Sequence, residues 1–304
     1  MKKSVLLAAA FIAATAASAQ TGEITSNRGE NWLSQDGDWG LIFDAQPILN
    51  YVGNLFNANT DNGGVALHGM SPSLFSNLPN QGGSNVIIGA KKLVDANTAY
   101  RGKLRIGFGS TKATELVDIA PLPSPAPTHP TPNPTVEDVT KNNYMNIVIG
   151  AGLEKRVGST RVVGVYGGEL LVGFGSSKTT NEYGNALSFN NQGDTQAGRA
   201  LETKNRGTFG LGLQAFGGIE WFFAPKMALS GEYTWGLAMT SQGASEQTRE
   251  YWVGAPTIDN PQAGSVQSVT REGTPNDGGA DRNSSFAIDT GVSGVNIGLN
   301  FYFQ

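Results

Sequence analysis

The chain of 304 residues contains no cysteine, which excludes a disulfide framework and the acylated cysteine of a lipoprotein anchor. Histidine is almost absent, with His68 and His129 alone. Neither sits in a pattern that also supplies a nucleophile and an orienting acid, so no hydrolase site assembles from the sequence. After the first twenty residues no apolar run approaches the ~18 residues that a spanning helix requires. An excess of positive charge is missing too, since 21 basic residues face 25 acidic ones. The electrostatic footprint of a nucleic-acid-binding protein is therefore lacking.

The beginning of the chain, MKKSVLLAAAFIAATAASAQ, has two lysines, a short apolar stretch and the small-residue triplet Ala17-Ser18-Ala19. This is the pattern of a secretory signal peptide over residues 1–19, cut after Ala19. Its removal takes two lysines and no acid, leaving a net charge of −6. Export combined with a lack of cysteine fits a protein of a Gram-negative envelope.

What the sequence has in abundance is alternation. Eight segments place apolar and polar or small residues in strict succession: 39–49, 84–94, 98–110, 143–156, 161–176, 207–223, 227–239 and 285–303. Three connections are very short, at 95–97, 157–160 and 224–226; the four others, 50–83, 111–142, 177–206 and 240–284, are long and polar. Short turns at one end and long loops at the other predict an all-β fold, an eight-stranded antiparallel up-and-down transmembrane β-barrel with four long extracellular loops. The barrel spans 39–304, preceded by a periplasmic N-terminal extension over 20–38.

Two hairpins repeat each other. NVIIGA at Asn85–Ala90 matches NIVIGA at Asn146–Ala151, and YRGKLRIGFGSTK from Tyr100 matches YGGELLVGFGSSK from Tyr166. A one-residue slip would exchange the two faces of a strand, so the match fixes sidedness. One face carries Tyr100, Leu104, Ile106 and Phe108, Leu170 and Phe174, Leu211, Leu213 and Ile219, and Tyr233 and Trp235. Aromatics gather at both ends of this face, as they do in the two girdles of a lipid-facing surface. The opposite face carries Asp44, Lys91, Arg101, Lys103, Arg105, Glu154, Glu169, Gln214, Glu220, Glu232 and Asp289, interleaved with glycines. The interior of eight strands is just wide enough for side chains to fill. Asp44, Arg101, Lys103, Arg105, Glu169 and Glu232 are therefore expected to form a charge network that plugs a polar lumen.

The ending VNIGLNFYFQ holds Asn296, Gly298, Phe301 and Phe303 at the spacing polar-x-Gly-x-x-aromatic-x-aromatic. It resembles the C-terminal insertion signal of bacterial outer-membrane barrels, differing in the Gln304 that follows the last aromatic. The chain from Trp39 onward resembles the small barrels of the OmpA and OmpX type, and GGIEWFFAPKMALSGEYTWGL looks like barrel proteins of Bacteroidota. That resemblance implies an outer-membrane location, outer-membrane lipid as surroundings, the barrel-assembly machinery as a partner during insertion, and envelope or extracellular partners at the loops. From the residues themselves no cofactor, no metal site and no enzymatic activity are expected. The soluble peptidoglycan-binding domain of OmpA proteins is not carried over, because the eighth strand runs to the last residues.

Phe286, Ile288 and Val292 have the opposite parity to Phe301 and Phe303, which requires an irregularity in strand eight, placed at Ser293-Gly294. The prolines of APLPSPAPTHPTPNPT, Ala120–Thr135, predict an extended polyproline II spacer. Asn57, Asn59 and Asp61 in NANTDNGG give only an imperfect calcium loop, with Gly63 displaced and His68 where the bidentate Glu belongs. The leading reading is a structural and surface-interaction barrel. The alternative is a narrow channel or conduit for small apolar solutes, as in OmpW-type barrels. An enzyme using His68 or His129 at the rim stands third.

Overall fold

A computed structural model of the chain describes residues 24–44, 88–120, 133–193, 198–273, 282–289 and 295–304. The signal sequence, the calcium-like stretch, His68, His129, most of the proline-rich segment and Ser293-Gly294 lie outside this set. The described residues hold no helix and eleven strands: β1 (Trp39–Asp44), β2 (Ile88–Asp95), β3 (Thr98–Asp118), β4 (Thr135–Val157), β5 (Val162–Glu182), β6 (Arg199–Ala224), β7 (Met227–Gln242), β8 (Ser245–Gly254), β9 (Gly264–Glu272), β10 (Asn283–Asp289) and β11 (Val295–Phe303).

Each consecutive pair from β1 to β7 is antiparallel. β11 then pairs β7 on one side and β1 on the other, with Trp39 opposite Phe303 and Asp44 opposite Gly298, which closes the sheet. β10 and β11 share the eighth position against β7. The result is a closed eight-stranded antiparallel barrel.

The strands run well past the ends read from alternation. β3 and β5 have 21 residues, β4 has 23 and β6 has 26, whereas crossing a bilayer takes about 9–11. Much of the segments 111–142 and 177–206 is therefore strand, and 240–284 contains the hairpin of β8 and β9. These extensions are mostly polar on both faces, with only scattered apolar residues such as Leu116, Val117 and Val136, so apolar alternation does not mark them. They are held by the ladder and by cross-strand polar pairs such as Thr179 Oγ1 to Asn142 Oδ1 at 2.7 Å. β8 continues the line of β7 along β6, since Asn205 faces Ser245 just beyond Thr208 facing Gln242.

Strand eight changes parity as expected, and the step is larger than a one-residue bulge. Asp289 faces Gly236 and Val295 faces Tyr233, so strand eight advances six positions while β7 advances three, an excess of three. The excess is odd, which lets Phe286 and Ile288 above it and Phe303 below it all point outward.

The short-turn end is sealed by an apolar floor. Leu93, Ala99, Val163, Val165, Phe222, Ala228 and Tyr302 point inward and pack together, with Phe222 stacked on Tyr302 at 5.7 Å. The segment before β1 folds across this floor and inserts Leu33, while Trp32 packs beneath Arg161 at 4.1 Å. Lys226 anchors the segment. It follows Pro225 in a tight turn and adopts φ 59°, a left-handed conformation unusual outside glycine. In that pose its amide donates to the Trp32 carbonyl at 3.0 Å, its carbonyl accepts from Tyr302 at 2.8 Å, and its ammonium pairs with Asp38.

Leu33→Ala should lower unfolding stability in detergent by about 2–5 kcal/mol, the cost of emptying a closed apolar site. Thermal unfolding followed by circular dichroism measures it, and an unchanged midpoint would mean that the segment does not contribute to the floor.

Candidate functional site

Above the floor, side chains of four cations and four carboxylates meet inside the barrel, all at most 7 % exposed. They come from every strand between β2 and β7, because residues two apart on each strand return to the lumen. Arg101 on β3 is the centre. Its guanidinium makes a two-pronged contact with Glu232, at 3.0 and 2.9 Å, and reaches Glu154 at 3.0 Å and Glu169 at 2.9 Å. The planar fork of arginine suits such paired contacts better than a lysine ammonium does.

Two lysines and a second arginine complete the cluster. Lys103 binds Glu169 at 2.6 Å, and Gln214 Nε2 donates to the same carboxylate at 3.2 Å. Lys91 bridges Glu154, at 2.7 Å, and Glu220. Arg156 spans the same two carboxylates, each at 2.6 Å. Tyr302 Oη donates to Glu220 at 2.8 Å and accepts from Arg156 at 3.1 Å, linking the cluster to the floor. Phe216 lies flat beneath Arg101 at 4.0 Å, a cation–π contact.

Small residues make the space. A Cβ on Gly152 would stand 2.5 Å from the side chain of Glu169, and one on Gly167 would stand 2.8 Å from the ring of Phe216. The lumen at this level is filled by ion pairs that sum to zero formal charge.

Of the residues singled out in the sequence, Arg101, Lys103, Glu169 and Glu232 meet in this cluster. Arg105, four residues along β3, stands further from the floor and donates to Asn146 at 3.2 Å. The side chain of Asp44 lies outside the described set. Arg156 and Tyr302 belong to the cluster and were not singled out, although Arg156 shares its parity with Glu154; its place at a strand end beside a turn concealed it.

In the C-terminal motif, Gly298 sits between Asp44 and Ser230, and a Cβ there would meet Ser230 Oγ at 2.7 Å. Phe301 packs edge-on against Phe43 at 6.1 Å, and Phe303 is exposed beside Trp39. Asn300 and Tyr302 between them point inward and are buried. The side chain of Asn296 lies outside the described set. Among the described residues no three acidic or histidine side chains are arranged to hold a metal ion.

Removing one member of a closed ionic cluster strands its partners. Arg101→Ala should cost about 3–5 kcal/mol of stability, since three carboxylates lose a shared cation. Lys141→Gln, which breaks the exposed Lys141–Glu182 pair, should cost less than about 1 kcal/mol. Urea unfolding of both variants in detergent compares them directly, and equal losses would show that the lumen is wet enough to screen its charges.

No protein-family model, no curated protein and no solved structure matches the chain.

Proposed function

We propose that the chain is an integral barrel of a bacterial outer membrane whose lumen is plugged and whose tall hairpins meet partners at the cell surface. The observation that carries this reading is the inverted distribution of polarity. Leu104, Ile106, Phe108, Leu213 and Ile219 point outward and are 44, 59, 80, 53 and 55 % exposed, whereas eight ionised side chains are buried inside. A barrel in water would place these groups the other way round, and soluble monomers rarely expose a large contiguous apolar patch. Aromatics edge the belt, with Trp39, Tyr100, Trp221 and Phe223 toward the short turns and Phe108, Phe174 and Phe209 toward the long hairpins.

The signal-like N-terminus supports export, and the C-terminal motif supports delivery by the barrel-assembly machinery. Continuous ion pairing across the lumen favours a plug over a conduit for apolar solutes. The role is structural and one of surface interaction, without catalysis, cofactor or nucleic acid. The resemblance to OmpA- and OmpX-type barrels, Bacteroidota-like in style, belongs to this same proposal.

The test is electrical. The purified chain in a planar bilayer should insert and show no steady conductance, and Lys103→Ala with Arg105→Ala should raise conductance or lower the temperature at which gel mobility changes. A large ohmic pore in the wild type would exclude the plug.

Insertion is tested separately. Phe301→Ser with Phe303→Ser should abolish outer-membrane yield and heat-dependent gel mobility, while deletion of Gln304 should leave both unchanged. Normal yield of the double variant would remove the insertion role of the motif.

A further inference from the structure

The strands that rise above the belt differ in character between their two faces. On the outer face ion pairs cross from strand to strand: Lys141 to Glu182 at 2.6 Å, Lys178 to Glu202 at 2.7 Å and Lys204 to Glu202 at 3.0 Å. The other face shares the parity of the buried Asn146 on β4 and Glu169 on β5, so it looks over the mouth of the barrel. One row on it runs Thr111, Asn142, Thr179, Thr203 and Gln247, each opposite the next from β3 to β8. The row beneath runs Gly109, Tyr144, Ser177, Asn205 and Ser245. Neither row holds a charged side chain.

Both rows are accessible. Thr111, Asn142 and Asn205 are exposed, and Tyr144, Thr179 and Gln247 are half-buried. Among the described side chains, the nearest charges at or above these rows on this face stand at its two ends and cancel. Glu115 faces Asp138 on β3 and β4, while Arg249 on β8 and Arg271 on β9 lie at the far side. A face wetted by solvent alone gains solubility from interspersed charges, as the outer face does. This one forgoes them across five strands.

Cross-strand bonds fix the polar groups in place. Thr179 Oγ1 donates to Asn142 Oδ1 at 2.7 Å, Asn205 Nδ2 to Ser177 Oγ at 2.9 Å, and Gln247 Nε2 to Thr203 Oγ1 at 3.3 Å. A side-chain amide has one acceptor oxygen and two N–H donors. Asn142 therefore keeps both donors for a ligand, whereas Asn205 and Gln247 each keep the oxygen and one N–H. Tyr144 rests across Gly109, where a Cβ would stand 2.5 Å from its ring. Neighbouring strands are about 4.8 Å apart, close to the length of one pyranose unit, so the upper row is about 19 Å wide.

We propose that this inward face binds an uncharged oligosaccharide laid across the strands, with Asn142, Asn205 and Gln247 as its hydrogen-bonding contacts and Tyr144 as its stacking surface. The inference rests on the surface-partner reading above and names the class of partner. Sugar hydroxyls donate and accept alike, so two neighbouring ones match an amide that offers N–H and oxygen side by side. The apolar face of a pyranose ring packs on an aromatic side chain. Groups already held by cross-strand bonds lose little freedom when the ligand arrives. Because the rows look over the mouth and away from the belt, the sugar comes from the external solution and not from a membrane lipid.

The full chain, folded in neutral detergent, is titrated by calorimetry with β-linked tetrasaccharides of glucose, N-acetylglucosamine and mannose, and with a tetrasaccharide of galacturonate. At least one of the uncharged sugars should bind with a Kd below about 1 mM and about tenfold or more tightly than the charged one. Asn142→Asp with Gln247→Glu keeps the side-chain shapes and the contacts with Thr179 and Thr203 but removes the amide donors. It should weaken that binding at least about tenfold, while Lys141→Gln on the outer face should leave it unchanged. Heat-dependent gel mobility checks that both variants remain closed barrels. Silence with every uncharged sugar, equal binding of galacturonate, or undiminished binding by the double variant would each overturn the site. Insertion of the same wild-type sample into neutral vesicles is scored separately. A sample that inserts but ignores the sugars defeats the glycan site alone, and one that fails to insert defeats the membrane reading.

Discussion

One guanidinium organises the barrel. Arg101 projects from β3 and is held by carboxylates from β4, β5 and β7, so a single side chain ties together strands on opposite walls. Burying such charges is expensive, and a well-packed apolar interior would serve stability at least as well. What the cluster supplies is sidedness and register. Sliding any contributing strand by one residue would turn its carboxylate outward and leave the arginine uncompensated. With the polar groups committed to the inside, the apolar half of every strand has to face out, and the belt follows from the plug.

The same logic sets how much could be read from the chain itself. Arg101, Lys103 and Arg105 alternate with Leu104 and Ile106, and this alternation recurs in the matching hairpin, so sidedness in the belt was plain. Legibility failed where alternation stops. Beyond the belt both faces of β3 to β6 are mostly polar, and a strand with two wet sides has the composition of a loop. At the other end Arg156 and Tyr302 were obscured by adjacency to a turn and to the chain terminus. The floor was illegible for another reason: Leu33 belongs to no strand, and no periodicity shows that a leading segment turns back to cover an opening. The partners of each charge depend on the stagger of the strands around the barrel, which local pattern does not encode.

The extended hairpins change the proportions of the molecule. β3 with β4, β5 with β6, and β8 with β9 carry ladder hydrogen bonds well above the closed section, so among the described residues the upper part is built of ribbons. Ribbons hold their tips at a fixed height. Ile258, in the connection between β8 and β9, is fully exposed there. A surface presented in this way loses less conformational entropy on meeting a partner than a free loop of equal length would.

The step in strand eight has a consequence for variation. From Asp289 to Val295 strand eight advances six positions while β7 advances three, and the excess of three is what keeps Phe286 and Phe303 on the same side of the wall. Only odd excesses do so. Insertions or deletions in 290–294 therefore obey a parity rule: changes by two preserve the outward side of both pieces, whereas a change by one inverts one piece relative to the other. Elsewhere in the wall the rule is stricter, because an uncompensated extra residue sets apolar groups toward the ions and charges toward the belt. Between Asp289 and Val295 the closing strand can therefore change length by two and still close.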